Sequence, residues 1–386
     1  MLDGVGIGAA PDADAYGDGG TNTLVGTARA VGGLRLPNLA QLGLGRLADI
    51  EGVPPASDAT GSFGVMRERS KGKDSTTGHW ELAGVITDRE FPLYPKGFPE
   101  ELLQQFLKRT GCKGVLGNKP ASGTEIIKEL GDEHVRTGYP IVYTSGDSVF
   151  QIAAHGDVIP LERLYEICRT TRKEVTIGAH RVGRVIARPF TGASGAYVRT
   201  ADRRDFGVTP DRDTVLDLLA RQNTPTIGVG KIDDLFSGRG LSEKVHTHSN
   251  AEGIEAVINA ARRVKSGFIM ANLVDFDMLY GHRQDARGLA NALEEFDAAL
   301  PRILETIGPH DVLLLTADHG NDPTDRSTDH TREQVPVLCF SPAGSGNRDI
   351  GVRQTFADAG KSVAEFFQAP GRETLAGTSF LREVLS

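Results

Sequence analysis

The sequence predicts an α/β protein: a mainly parallel sheet flanked by helices, with a smaller α+β domain inserted into it. Three observations carry this expectation. From about residue 210 onward, short apolar runs alternate with amphipathic helical patterns. Between residues 91 and 208 the elements become shorter and more mixed. Two of the apolar runs end in clusters of aspartate and histidine, at the strand ends where open α/β sheets bind their ligands.

At 386 residues the chain is long enough for two domains. The element pattern divides it into a discontinuous core, 1–90 with 209–386, and an insertion at 91–208. In the core, "TPTIGVGK" (224–231), "GFIMANLVD" (267–275), "DVLLLTAD" (311–318) and "VPVLCFSP" (335–342) are expected strands. Helices are expected near 250–264 and 287–306, the second with Leu289, Leu293, Phe296, Leu300 and Leu304 as one buried stripe. In the insertion, "PEELLQQFLKRTG", "SGTEIIKELG" and "PLERLYEICRTTR" read as helices, while "PIVYTS" and "GRVIARPF" read as strands. The 47 glycines follow no three-residue period and mark turns and ligand-approach loops.

Composition excludes several functions. A formal net charge of −8 argues against general attraction to nucleic acid or anionic membrane, so an anionic ligand must be drawn by local cations. Cys112, Cys168 and Cys339 are far apart and form neither a disulfide framework nor a thiolate zinc site. The N-terminus is acidic and glycine-rich without a signal-peptide core, and no run of about 18 apolar residues occurs, so a cytosolic location is expected.

The chemistry concentrates in three stretches. "NLVDFDMLYGH" offers Asp275, Asp277 and His282, and "TADHGNDPTDRSTDH" offers Asp318, His319, Asp322, Asp325, Asp329 and His330. Mixed carboxylate and imidazole ligands suit Mn²⁺ or Zn²⁺ better than Mg²⁺ alone. Asp322 and Asp325 are read instead as part of a solvated, capped turn. An Asp318–His319 pair that ends an apolar strand instead demands a counter-charge, which a metal would supply. The second stretch, "KGKDSTTGHWELAG" (71–84), sets Ser75, Thr76 and Thr77 where a turn can open into a helix. They can be plain N-cap hydroxyls, or one of them can be a nucleophile at a phosphate-binding helix N-terminus. The third, "DGVGIGAAPDA" (3–13), is a weak glycine pattern with no strand before it, although Asp3 falls where such a strand would end.

Taken together, "DGVGIGAAPDA", "LPNLAQLGLG", "GKDSTTGHWE", "NKPASGTEII", "YTSGDSVFQIAAH", "GRVIARPF", "NLVDFDMLYGHR" and "TADHGNDPTDRSTDHTRE" resemble the phosphopentomutase family of the alkaline phosphatase superfamily. The resemblance runs through nearly the whole chain in order. It implies an alkaline-phosphatase-like core with an α+β cap domain, two Mn²⁺ ions and activation by a sugar bisphosphate such as glucose 1,6-bisphosphate. By motif position, Asp3, Asp318 and His319 hold one ion, and Asp277, His282 and His330 hold the other. Ser75, which stands where relatives usually have threonine, becomes the phosphorylated nucleophile, with Thr76 as the second choice. Ser145, Asp147, Arg184 and Lys231 match positions that contact the pentose phosphate. The implied reaction interconverts ribose or 2-deoxyribose 1-phosphate with the 5-phosphate through a 1,5-bisphosphate, linking nucleoside salvage to the pentose phosphate pathway. Its partner is a small molecule, with no nucleic acid or membrane.

Other residues receive plainer readings. His79 and Trp80 are expected to be buried packing residues, His155 a core residue, and His246 and His248 loop residues. Family members carry an apolar strand before the first metal aspartate, whereas here only Met1 and Leu2 precede Asp3. Asp3 is therefore expected on a frayed terminus, with weakened affinity for its ion.

Overall fold

A computed structural model describes residues 1–386. The chain forms two compact units, Met1–Arg89 with Pro210–Ser386, and Glu90–Thr209.

The first unit is built on two sheets. One is wholly parallel, with Thr226–Val229 between Phe268–Ala271 and Glu243–Val245. The other has four strands in the order Leu313–Thr316, Val335–Phe340, Ser62–Met66 and Arg348–Arg353. Only its last pairing is parallel. Val335–Phe340 runs antiparallel to Leu313–Thr316 because residues 317–334 return the chain as a loop, without the crossover helix a parallel pair requires. That loop holds most of the aspartates and histidines singled out in the sequence.

Helices bury one stripe each against these sheets. In Ala286–Leu304, Leu289, Leu293, Phe296, Leu300 and Ile303 are buried, and Asp285 caps the first turn by accepting the Gly288 N–H at 2.8 Å. Full burial of such side chains stabilises the fold by roughly 1.5–3 kcal/mol each. Ser249 caps Asn250–Arg263 in the same way.

The first three residues lie between the two sheets. The Met1 amino group donates to the Ala271 carbonyl at 2.6 Å, and the N–H of Leu2 donates to Thr316 O at 2.9 Å. Leu273 N–H returns a bond to Met1 O, and Leu2 bridges Leu273 in parallel. Asp3 is completely buried. The frayed terminus expected from the sequence is thus corrected: backbone bonds to a strand on each side hold Met1–Asp3 in place. Behind Met1 the edges of Phe268–Ala271 and Leu313–Thr316 have no strand partner, and an apolar cavity of about 280 Å³ lies there, lined by Met1, Met270, Leu314 and Phe366 among others.

The second unit is a six-stranded sheet in the order Leu116–Pro120, Ile141–Thr144, Val149–His155, Arg184–Thr191 and Val198–Arg199, with Arg204–Gly207 also pairing Arg184–Thr191. Helices Glu100–Thr110 and Leu161–Thr170 pack with Phe150, Ile152 and Val185. Alternate strand residues Ile141, Tyr143 and Phe190 pack with helix Gly123–Thr137. His155 is buried within this sheet and is bonded to the Gly192 carbonyl at 3.0 Å.

Candidate active site

The helix Ser75–Leu82 starts where Asp74 accepts the Thr77 N–H at 3.1 Å and the Thr77 hydroxyl at 2.6 Å. This cap consumes Thr77 and leaves Ser75 on the first turn. Ser75 Oγ stands 3.0 Å from His319 Nε2. Close approach is possible because the next turn carries Gly78, where an added Cβ would meet the Asp318 carbonyl oxygen at 2.0 Å. Glu81, fully buried, anchors the preceding loop by accepting the N–H groups of Arg69 and Ser70. Arg332, also buried, clamps the same loop through the carbonyls of Glu68, Ser70 and Gly72.

Two groups of potential ligands converge on His319. Asp3, Asp318 and His319 form one, and Asp277, His319 and His330 form the other. His319 Nε2 is 3.4 Å from Asp3 Oδ1 and 3.3 Å from Asp318 Oδ2. Asp277 lies 3.2 Å from His282 Nε2 and 3.5 Å from His330 Nε2. The two histidine nitrogens are 3.2 Å apart, and the His319 and His330 rings are 3.9 Å apart. The six residues assigned to two ions from motif position therefore share one neighbourhood, with His319 central to it.

Surrounding groups orient these ligands. His282 Nδ1 donates to the Thr328 carbonyl at 2.7 Å and His319 Nδ1 donates to the Gly320 carbonyl at 3.0 Å. Both rings thereby turn Nε2 toward the carboxylates, as a metal ligand requires. Asn321 Nδ2 donates to Asp277 Oδ1 at 2.7 Å. Asn321 carried no ionisable signal in the sequence, and only its place inside the TADHGND stretch pointed to it.

The charges are out of balance. Asp3 Oδ1 and Asp318 Oδ2 are buried, and the groups that approach them are imidazole nitrogens of His319 and His79, which carry compensating charge only when protonated. Burial opposes charge on His319, yet Asp318, Asp3 and Asp277 outweigh it and hold its pKa well above the usual imidazole value. Burial likewise opposes ionisation of Asp277, but His330 and His282 keep its carboxyl well below the usual range. The hydrogen bond from Asp277 raises His282 to about 8 against the effect of burial. Protonated histidines here supply positive charge that the carboxylates require. Divalent cations can supply the same charge, and a set of oxygen and imidazole donors without thiolate fits Mn²⁺ or Zn²⁺.

The remaining expected residues fall in several places. Lys231 is within this cluster, its Nζ 3.0 Å from Asp3 Oδ2. Asp147 and Arg184 form a 3.5 Å ion pair in the second unit, where Arg184 also pairs with Asp205, and the Ser145 hydroxyl accepts the Asp147 N–H at 3.4 Å. Thr76 makes no comparable contact to His319. Asp275 caps the neighbouring helix by accepting the Asn250 N–H at 2.7 Å. Asp322 differs from the solvated turn expected: it does cap its own turn at Thr324, but it is buried and also accepts the Asn22 N–H at 2.9 Å. Asp325 bonds to the Ser327 N–H, and Asp329 lies exposed at the cluster's rim. His246 is an exposed loop residue 3.6 Å from Asp233, and His248 is exposed beside it. His79 is buried, and Trp80 Nε1 donates to the Leu235 carbonyl at 2.9 Å.

The fold and this cluster define a metalloenzyme, and the model of the metalloenzyme superfamily matches residues 1–370. A phosphopentomutase of Dictyoglomus turgidum is 54% identical over 384 residues, spanning 100% of this chain and 96% of the relative. One from Anaeromyxobacter sp. (strain K) is 56% identical over 384 residues, spanning 100% of this chain and 97% of the relative. The structure of Leishmania mexicana phosphoglycerate mutase is similar with a TM-score of 0.47 at 12% identity, covering 98% of this chain and 96% of that one. The chain belongs to the phosphopentomutase family and is an isomerase of the phosphotransferase type. No helix is long and apolar enough to cross a membrane.

Proposed function

We propose that the chain interconverts α-D-ribose 1-phosphate, or its 2-deoxy counterpart, with the 5-phosphate through phosphorylated Ser75 and a pentose 1,5-bisphosphate. The observation that carries this reading is the 3.0 Å approach of Ser75 Oγ to His319 Nε2, beside the buried carboxylates of Asp3 and Asp318. Asp3, Asp318 and His319 would hold one divalent ion, and Asp277, His282 and His330 the second. Such ions, which the resemblance implies to be Mn²⁺, would neutralise phosphoryl oxygens and lower the nucleophile's pKa.

The chain's own residues account for the rest. Asp74 and Gly78 set the helix so that its N-terminal amides and Ser75 face an incoming phosphate. In the first half-reaction the P–O bond to Ser75 breaks and one forms to the free hydroxyl of the sugar phosphate, whose proton ends on Ser75 Oγ. In the second, the bisphosphate returns its other phosphoryl group to Ser75, and the proton passes to the sugar oxygen. Lys231 supplies positive charge beside Asp3, and Ser145, Asp147 and Arg184 bind the sugar phosphate, Arg184 through a bidentate fork. A mutase must exclude water during both transfers, a task we assign to the inserted unit as a cap. The activator, glucose 1,6-bisphosphate or a similar ester, would phosphorylate Ser75 before the first turnover. The reaction would link nucleoside salvage to pentose phosphate metabolism in the cytoplasm.

Phosphorus NMR of ribose 5-phosphate with the protein, Mn²⁺ and a trace of glucose 1,6-bisphosphate tests the reading. Ribose 1-phosphate is expected; accumulation of free phosphate alone would overturn the mutase in favour of a hydrolase.

A further inference from the structure

Asp18 stands where three segments around the site meet. The 3-10 turn Ala13–Tyr16 ends at Gly17, whose left-handed backbone (φ 78°) reverses the chain, and the Asp18 N–H then donates to the Ala13 carbonyl at 3.0 Å. On its other side, the Thr21 hydroxyl donates to the Asp18 carbonyl at 2.9 Å. The turn lies along the loop after His330, because the Ala10 N–H donates to the Arg332 carbonyl at 2.9 Å. These bonds fix the Asp18 backbone, and its carboxylate is only 4% exposed.

That carboxylate is fully engaged. Lys73 Nζ donates to both of its oxygens at 3.0 Å, and the Arg332 N–H donates to Oδ2 at 2.8 Å. Lys73 precedes Ser75 by two residues, and Arg332 follows His330 by two. The same lysine ammonium lies 3.8 Å from Asp329 Oδ2, while Asp329 Oδ1 accepts the His330 N–H at 2.9 Å. Asp18 therefore holds the chain on both sides of His330, directly at residue 332 and through Lys73 and Asp329 at residue 330. Asp12 and Tyr16 reach the same loops with weaker grips. The Asp12 side chain is half exposed, and the Tyr16 hydroxyl accepts the Gly72 N–H at 3.4 Å. Charge-assisted bonds to a buried carboxylate are stronger than either.

We propose that Asp18 is a positioning residue for phosphoryl transfer: by binding Lys73 and the Arg332 amide together, it sets the Ser75 turn against the His330 loop. The inference rests on the proposed function for what the two loops do, with Ser75 as nucleophile and His330 as metal ligand. Asp18 touches no reacting atom. Its effect is geometric, since a reacting constellation has to be held within about 0.5 Å of its productive arrangement.

Asp18→Asn is the informative variant, because its amide oxygen still accepts the Arg332 N–H while the charge that holds Lys73 is gone. In the Mn²⁺-loaded enzyme, kcat per folded molecule for ribose 5-phosphate should fall about 10- to 50-fold, with KM within about twofold of wild type. Lys73→Met should lose a similar factor, and Lys73→Arg should recover part of it. The double variant Asp18→Asn/Lys73→Met should be within about threefold of the single ones, since all three break one contact. Calorimetric Mn²⁺ affinity, which needs no turnover, should drop at least about fivefold in Asp18→Asn. An effect confined to the thermal midpoint, losses that multiply in the double variant, or unchanged Mn²⁺ affinity would overturn the proposal. If Lys73→Met, which strands a buried carboxylate, fails to fold, the kcat and Mn²⁺ affinity of Asp18→Asn decide alone. A wild type that binds Mn²⁺ but makes no ribose 1-phosphate would instead sink the mutase reading, and the Mn²⁺ affinity of Asp18→Asn would still decide this one.

Discussion

His79 donates its Nδ1–H to the carbonyl of Ser75, one turn back on the same helix, at 2.8 Å. Nδ1 also lies 3.0 Å from Asp318 Oδ2, and Nε2 faces the Asn272 side-chain amide at 3.1 Å. A completely buried imidazole thus ties the residue read as nucleophile to a carboxylate read as metal ligand. His79 touches no reacting atom in this scheme; it is a positioning residue.

His79→Ala should therefore lower kcat by about 10- to 100-fold while KM for the sugar phosphate changes little. His79→Asn, which keeps a donor near the Nδ1 position, should recover part of the loss. A merely structural role would instead lower the thermal midpoint and leave kcat per folded molecule intact, so steady-state kinetics beside thermal unfolding separates the two.

Metal uptake should be linked to protons. A histidine binds metal only through a neutral nitrogen. In the metal-free chain the Asp277 bond lifts His282 to about 8, so below that pH a proton must leave before the metal enters. Affinity for Mn²⁺ at this cluster should fall as pH drops from 8 to 6, by up to about tenfold per unit for each proton displaced. Calorimetry in buffers of different ionisation enthalpy would detect the released protons. A pH-independent affinity with no proton release would count against His282 as a ligand.

The contact between helix and loop at Gly78 should be intolerant of any side chain. A methyl group there would stand 2.0 Å from the Asp318 carbonyl oxygen, and both partners are rigid backbone. Gly78→Ala should destabilise the fold by about 3 kcal/mol or more despite alanine's better helix propensity. Urea unfolding at equilibrium measures it; a change under about 0.5 kcal/mol would mean that the helix can shift away at little cost.

Much of this site was legible because its signals are local. Asp318 and His319 follow an apolar strand directly, and Asp277 and His282 sit five residues apart after another, so motif and strand end coincide. Long-range features were hidden. Nothing in the sequence announces that Met1–Asp3 would be tied to Ala271 and Thr316, because those bonds use backbone atoms of distant strands. The strands Ser62–Met66 and Arg348–Arg353 were equally silent, since glycines and charged residues break their apolar alternation. Asp322 looked like an ordinary surface turn, and only the packing of residue 22 against it makes it buried. Lys231, which the resemblance assigned to substrate, also pairs with Asp3 in the fold, a contact that motif position alone did not announce.

The central claim is that Ser75 carries the phosphoryl group between half-reactions. Incubating the Mn²⁺-loaded protein with glucose 1,6-bisphosphate, followed by tandem mass spectrometry of the peptide containing residues 75–77, tests it most directly. The account predicts one phosphate, on Ser75, retained in Thr76→Ala and absent from Ser75→Ala together with mutase activity. Phosphate on Thr76, or full mutase activity in Ser75→Ala, would contradict it.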